Sequence, residues 1–447
     1  MNGAIIEFTR SSGKTYPATW DASVQPIASF VEENRGLTFK HPVPVQFLAS
    51  TAFDKSLTAD QADSPFHDPI AEARMRALGL IGPTTNLSAD ATKLTTTGVL
   101  AYYSSRDQRI VIRGSALDVS TRVTVAHELT HVLQDQYFGV NSLYSNVPKG
   151  AEDAVTSLVE GDAVVIENLF VHSLSQSDQD AYAKTQQSGF DQFKKDIAAV
   201  TPVLDVAFGA PYELGRALVQ ALRKAGGTSR LDEAFRNPPQ SEAAVMRASR
   251  FLAGDVPAVV NAPAPGAAEK SVGSPEVLGA LTLYLMLVQR LDPRVALAAA
   301  DEWSGDETRV VKKADGTVCV RAAIVGDNAA HTADIEHALE NWAASGPSGA
   351  ARASAGNGQA TFFACDAGTK TLVPSDHPEI LRLPMNRALI ATDLLDSMSL
   401  KAADCVAGHA VQSLTYAQLD DPTDPYYQSS AFQSVLAGWT SACGAPQ

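Results

Sequence analysis

The chain has 447 residues, enough for one large or two moderate domains each to bury a real core, so size excludes nothing. Hydrophobic residues at 45% and charged residues at 19% exclude a disordered or fibrous chain. The 50 acidic against 35 basic residues leave a formal charge of −15, which repels a phosphate backbone and the anionic inner leaflet of a membrane and argues against nucleic acid as a partner.

Taken in order, Val24, Ile27, Ala28 and Val31 recur at helical spacing within Trp20 to Glu33, and Val43 to Ala49 reads as a strand. Asp60 to Asp68, polar and broken by Pro65, reads as a loop. Ala71 to Leu80 reads as a short amphipathic helix stopped by Gly82 and Pro83. Two β-rich runs, Gly98 to Tyr103 and Gln108 to Gly114, flank Ser104, Ser105, Arg106 and Asp107 and predict a hairpin. The next helix starts near Ser120, a good N-cap residue, buries Val123, Ala126, Leu129, Thr130 and Leu133, and ends at Gly139. A second helix spans about Ala151 to Leu174. After the polar stretch Ser175 to Lys195, a third runs from Pro211 to Ala225 and closes at Gly226 and Gly227.

Asn261 to Ser274, rich in Pro, Ala and Gly, reads as a connecting loop, and Val277 to Ala300 returns to helix. Its apolar part, Val277 to Val288, falls short of the roughly 20 residues of a bilayer crossing and contains Gly279 and Thr282, so it reads as a buried helix and no transmembrane segment is expected. Beyond Trp303 come short strands at Thr308 to Lys312 and Thr317 to Ala323, a helix at Thr332 to Ala344 and a strand at Thr361 to Ala364, interrupted by the alanine-rich Gly349 to Gly358. The organisation expected is a first domain over residues 1–300 and a smaller α+β region over 301–447.

The four cysteines lie in that last region without CxxC spacing. Cys319 with Cys365 and Cys405 with Cys443 is the simplest of three pairings, against the alternative of buried free thiols. Bridges would mean an oxidising compartment, hence a secreted or cell-surface protein; the alternative is cytoplasmic. The first 30 residues show no export signal, since Glu7, Arg10 and Lys14 interrupt any apolar run.

Within the helix after the hairpin, His127, Glu128, Leu129, Thr130 and His131 spell HELTH. Residues four apart differ by about 40° around a helix, so both imidazoles project from one face within reach of a single ion. Two neutral imidazoles and one carboxylate, with a fourth position left to water, make a catalytic zinc site, whereas structural sites are closed and usually cysteine-rich. Glu128 can take a proton from the zinc-bound water. For the third ligand the following helix offers Glu152, Glu160, Asp162 and Glu167, and spacing does not choose; Gly161, which would admit a close approach, favours Glu160.

HELTH followed by a helical glutamate resembles the gluzincin group of metallopeptidases, which includes thermolysin and the zinc aminopeptidases. The five letters match thermolysin, and Glu160-Gly161-Asp162-Ala163 is similar to the Glu-Gly-x-Ala segment of the aminopeptidase branch. The resemblance covers about residues 95 to 225. It implies an α+β fold with a zincin-like core of edge-strand hairpin, HExxH helix and glutamate helix, plus additional helices and the smaller C-terminal region. It also implies one catalytic zinc on His127, His131 and Glu160, with Glu128 as general base and a peptide or protein as substrate. The gap from His131 to Glu160 is longer than in either relative, and Val164 stands where thermolysin-like enzymes place an aspartate that orients a ligand. Asp135 or Asp162 could serve instead; the alternative is that both are solvated helix charges. No third histidine follows His131, which sets the metzincins aside.

Gluzincins commonly aim a tyrosine or histidine at the oxyanion of the tetrahedral intermediate. Tyr212 is the candidate, with a core tyrosine as the plain alternative, and His172 is a weaker choice. Tyr102 and Tyr103 on the hairpin are candidates for lining an edge that pairs with substrate backbone. His41, His67, His331, His337, His377 and His409 lack ligand spacing. Two other readings stay open: a binding protein that keeps a peptidase-like core, and hydrolysis of a non-peptide amide. Retention of Glu128 favours an enzyme.

Overall fold

The computed structural model describes residues 16–60, 68–421 and 423–444. The apolar stripe of the first helix forms as its spacing dictates: α1 (Gln25–Arg35) buries Ile27, Ala28 and Val31. β1 (Val45–Leu48) leads into α2 (Ser50–Asp60), a helix not expected from sequence; residues 61–67, expected as loop, lie outside the described residues. α3 (Pro69–Ala77) is capped by Asp68. α4 (Leu87–Gly98) is also unexpected, because its threonines lower helix propensity; Thr92, Thr95 and Thr96 return their hydroxyls to the carbonyls one turn back.

The expected hairpin is present as β2 (Ala101–Ser104) and β3 (Arg109–Arg113), antiparallel with Tyr102 opposite Val111 and Tyr103 opposite Ile110. β1 pairs in parallel with β3, so β3 is central and β2 lies at an edge. Both tyrosine rings are fully buried. Tyr102 packs on Phe53 with its hydroxyl 2.6 Å from Ser56 Oγ, and the Tyr103 hydroxyl donates to Asp135.

α5 (Val119–Phe138) starts one residue earlier than Ser120, with Asp118 rather than Ser120 as the cap, its carboxylate accepting from the Thr121 N–H at 2.8 Å. It ends at Gly139, whose φ of 66° is a left-handed value that glycine adopts without strain. α6 (Val140–Tyr144) is a short turn before α7 (Glu152–Ser173). The polar stretch that followed is helix α8 (Gln176–Asp196). It has no apolar face to announce it: none of its residues is fully buried, and its order comes from a Ser175 cap and i to i+4 bonds such as Gln187 to Asp191 and Gln192 to Asp196.

The third helix, α9 (Pro202–Arg236), begins nine residues before Pro211, so Tyr212 lies in its third turn and not at its start. Pro202 sets the first turn and Pro211 is tolerated inside. The helical backbone stops at Gly226 and Gly227 as their positions predict, and a second helical segment follows them across a kink within the same span. α7 and α9 cross in backbone contact. A Cβ on Gly215 would lie 1.9 Å from the Ser157 carbonyl oxygen, and one on Gly161 would lie 2.1 Å from the Gly215 carbonyl carbon.

α10 (Glu242–Met246) and α11 (Ala248–Leu252) lead to β4 (Glu269–Glu276), a strand inside the expected loop. The apolar run becomes two helices, α12 (Ala280–Leu287), almost wholly buried, and α13 (Pro293–Asp301), capped by Asp292. β5 (Trp303–Lys313), β6 (Val318–Gly326), α14 (Ala329–Ala344), β7 (Ala351–Gly356) and β8 (Gln359–Cys365) follow. The strands form one antiparallel sheet in the order β4-β5-β6-β8-β7, which therefore begins before residue 300. β7 is the alanine-rich segment. Its turn to β8 is Asn357-Gly358, both at positive φ, a hairpin signal legible in the sequence. Short helices α15 (Pro378–Leu381), α16 (Leu383–Asp393), α17 (Leu400–Ser413), α18 (Tyr416–Asp420) and α19 (Ser430–Ala442) complete the chain. One apolar core runs from Ala77 to Trp439, and among the described residues no helix is long and apolar enough to cross a membrane.

Both expected disulfides are formed. Cys319–Cys365 joins facing positions of β6 and β8, and Cys405–Cys443 ties α17 to the end of α19. Non-reducing peptide mapping is expected to recover these two linked pairs; scrambled or free thiols would contradict them. Gly215→Ala is expected to destabilise the fold by about 3 kcal/mol, whereas Gly189→Ala on α8, where a Cβ meets nothing within 4 Å, should stabilise by about 0.5–1 kcal/mol. Urea midpoints of the two variants check the contrast.

Candidate metal centre

α5 presents His127 and His131 one turn apart, both fully buried, with ring centroids 4.8 Å apart. Glu160 of α7 meets them from across the helix pair. Its Oε2 lies 3.1 Å from His127 Nε2 and 3.5 Å from His131 Nε2. Ligands about 2.0 Å from a tetrahedral ion stand about 3.3 Å apart, so these two separations fit ligand atoms sharing one metal, and the three residues form a group that could hold an ion. The other candidates point elsewhere: Glu152 accepts from the Gly150 N–H, Asp162 pairs with Arg35, and Glu167 lies on the far edge of His127.

The electrostatics of this triad suit a cation. Burial acts to lower the His127 pKa, but contact with Glu160 and Glu167 outweighs it and raises the value to about 10. Burial acts to raise Glu160, but the His131 and His127 imidazoles hold it down at about 2. A metal ion and a proton compete for the same imidazole lone pair, and the carboxylates favour either positive occupant.

Asp162 is engaged by Arg35 and by the Gln134 amide. Asp135 is buried, accepting from the Tyr103 hydroxyl at 2.9 Å and the Val140 N–H at 3.2 Å. The residues that hold the rings are Glu167 and Gln134. His127 Nδ1 lies 2.9 Å from Glu167 Oε2, and the Tyr182 hydroxyl of α8 donates to Glu167 Oε1 at 3.1 Å. Burial opposes ionisation of Glu167, and its contacts with His127 and Tyr182 prevail, keeping its carboxyl below the usual range. On the other ring, His131 Nδ1 lies 2.9 Å from Gln134 Oε1. The Gln134 amide cannot turn over, because its Nε2 donates to the Val159 carbonyl at 2.9 Å and to Asp162 Oδ2 at 3.1 Å. His131 Nδ1 therefore donates to Gln134 Oε1, which leaves Nε2 as the ring atom facing Glu160. Asp162 is fixed in turn by Arg35, whose Nε lies 2.8 Å away and whose Nη1 lies 2.7 Å from Asp232.

Glu167 entered the sequence reading only as a ligand candidate and Gln134 not at all. The available signal was periodicity: Glu167 lies two turns after Glu160, and Gln134 one turn after His131, each on the ligand face.

Both carboxylate oxygens of Glu128 and the Nε2 of His131 are buried without a hydrogen bond in standard geometry among the described residues. Burial pushes Glu128 up to about 7 while the two imidazoles pull against it. Orphaned polar atoms at such depth are the mark of a missing polar occupant, and the donor set of two imidazoles and a carboxylate fits a divalent metal with one open position. Tyr212 is brought to the site, its ring 6.4 Å from that of His127 and inclined by 25°. Burial, reinforced by Glu160 and Glu128, holds its phenol well above the ordinary value, so it is a neutral donor. His172 is not part of the site; it is bonded to the Asn168 carbonyl on the outer part of α7.

No protein-family model, no curated protein and no solved structure matches the chain. A second gathering of metal-ligand types, Cys405, His409 and Cys443, offers no thiolate, since its two sulfurs form the disulfide. Of the other histidines, His67 lies outside the described residues; His41 stacks on Tyr16, and His331, His337 and His377 neighbour surface carboxylates.

Gln134→Ala and Glu167→Ala are each expected to weaken metal binding by about 10–100-fold, and Glu152→Ala to leave it unchanged. Competition against a chromogenic chelator measures this order; loss at Glu152 alone would move the third ligand.

Proposed function

We propose that this chain is a zinc-dependent peptidase of gluzincin type, with β2, β3, α5 and α7 as a zincin-like core. The observation that carries the reading is the convergence of two imidazoles and the Glu160 carboxylate at ligand separations, beside the buried Glu128, whose oxygens have no hydrogen bond in standard geometry among the described residues. Zinc held by His127, His131 and Glu160 would supply Lewis acidity, polarising a scissile carbonyl and acidifying a water to a pKa of about 7.

Glu128 accepts the proton released in the attack and returns it to the leaving amine, a role for which a pKa near 7 is matched to neutral operation. Tyr212, kept neutral, donates to the oxyanion that develops on the substrate carbonyl. Glu167 and Gln134 hold the imidazoles still, so no reorganisation is needed at the moment of reaction. The edge position of β2 supports an extended substrate laid antiparallel along it. The two disulfides support a secreted or cell-surface setting.

Glu128→Gln is expected to retain about one zinc per chain and lose turnover by a factor of about 10³ or more; His127→Ala and His131→Ala should lose the metal itself. Plasma mass spectrometry of metal content alongside cleavage of a peptide library checks both. Undiminished cleavage by the Glu128 variant would remove the base, and a metal-free wild type after zinc loading would remove the site.

A further inference from the structure

The five-stranded sheet has two unlike faces. One packs on α14 through Val320, Ala322, Ile324 and Phe362, the last in edge contact with Trp342. On the other face a single cross-strand row runs over four strands: Arg309 opposite Arg321, Arg321 opposite Phe363, and Phe363 opposite Arg352. At about 4.8 Å per strand the row is roughly 14 Å long.

Three cations converge on the Phe363 ring: Arg352 at 4.2 Å, Arg321 at 4.7 Å and Lys313 at 5.6 Å. Two carboxylates share the face. Glu269 bonds Arg321 at 2.7 Å, and Glu307 stands 3.9 Å from Arg309. Arg352 is exposed, and neither it nor Lys313 has an ion-pair partner among the described residues. Arg309 Nε is buried without a hydrogen bond.

Like charges directly opposite on adjacent strands are destabilising; Arg309 and Arg321 face each other in this way, each offset by one carboxylate, whereas Arg352 and Lys313 add two further cations to the row. A chain of net charge −15 has no general excess of cations to scatter. We infer that this sheet face is a docking surface for an acidic polypeptide segment, with Arg309, Lys313, Arg321 and Arg352 as its cationic contacts and Phe363 as its floor.

The shape of the row selects the partner. A single anion would need a pocket, and this is a straight strip. An extended peptide sets alternate side chains about 6.8 Å apart on one side, so a 14 Å strip meets two or three carboxylates of an acidic stretch. Guanidinium forks match carboxylates in bidentate geometry. A long polyanion running past the strip would meet the acidic remainder of the molecule and be repelled. The surface involves none of the metal-site residues, so it stands or falls independently of the peptidase reading.

The test is fluorescence anisotropy of labelled decaglutamate with the full chain carrying Glu128→Gln, which prevents consumption of the probe. Saturable binding that falls with salt is expected, with an uncharged glycine-serine decapeptide not bound. Lys313→Glu with Arg352→Glu should weaken it by roughly ten-fold or more, while Lys313→Arg with Arg352→Lys retains it with the same circular dichroism. Absence of binding, or binding indifferent to the charge reversal, overturns the inference. So does a salt-sensitive dimer of the chain that the reversal dissolves in sedimentation, which would make the occupant a second copy.

Discussion

The backbone contact between α7 and α9 is the constraint on which the centre depends. With glycine at both 161 and 215, the helices approach until the main chain of one touches that of the other. Glu160 precedes one of these glycines and Tyr212 lies three residues before the other, so two elements of the site are positioned by the absence of two methyl groups. A wider crossing would leave Glu160 beyond reach of the imidazoles of α5 and move the Tyr212 ring off His127.

Around that crossing the imidazoles are held by polar groups that are themselves held. Arg35 anchors one branch: its guanidinium is fully buried, set between Asp162 and Asp232, and lies 5.9 Å from the Phe138 ring and 5.5 Å from the Phe235 ring. It thereby joins α1, the end of α5, the middle of α7 and the far part of α9. Desolvating such a charge costs several kcal/mol and is offset only when its partners are in place, so a shift of these helices that parted Arg35 from Asp162 and Asp232 would strand a buried charge. The fixed Gln134 amide, and through it the tautomer of His131, follows from that arrangement.

Legibility from sequence followed apolar periodicity. The HELTH helix, the helix bearing Glu160 and the hairpin before them combine strong periodic patterns with local stop signals, and all three are where their spacing placed them. Each miss has a local cause. α8 carries no buried face, so nothing distinguishes it from a polar loop. α4 is rich in threonine. Pro211 looks like a helix start when Pro202 already supplies one. The supports of the imidazoles were missed for another reason. Periodicity places Gln134 and Glu167 on the same helix faces as His131 and Glu160, but which ring each one holds depends on where the ring nitrogens lie, and Glu167 stands three residues beyond Val164, the position thermolysin-like enzymes use. The cysteine pairing was legible because the simplest connectivity is also the one that facing strands impose.

The weak burial of α8 has an energetic consequence for the centre. A helix of about twenty residues without a buried face is marginal on its own in water, so α8 belongs at the bottom of the ladder of local opening free energies, well below α5 and α7. Its amides are expected to exchange with solvent before those of α5 and α7. Because Tyr182 ties this helix to Glu167, and Glu167 to His127, the rigidity of a fully buried imidazole is partly borrowed from a helix with no buried face.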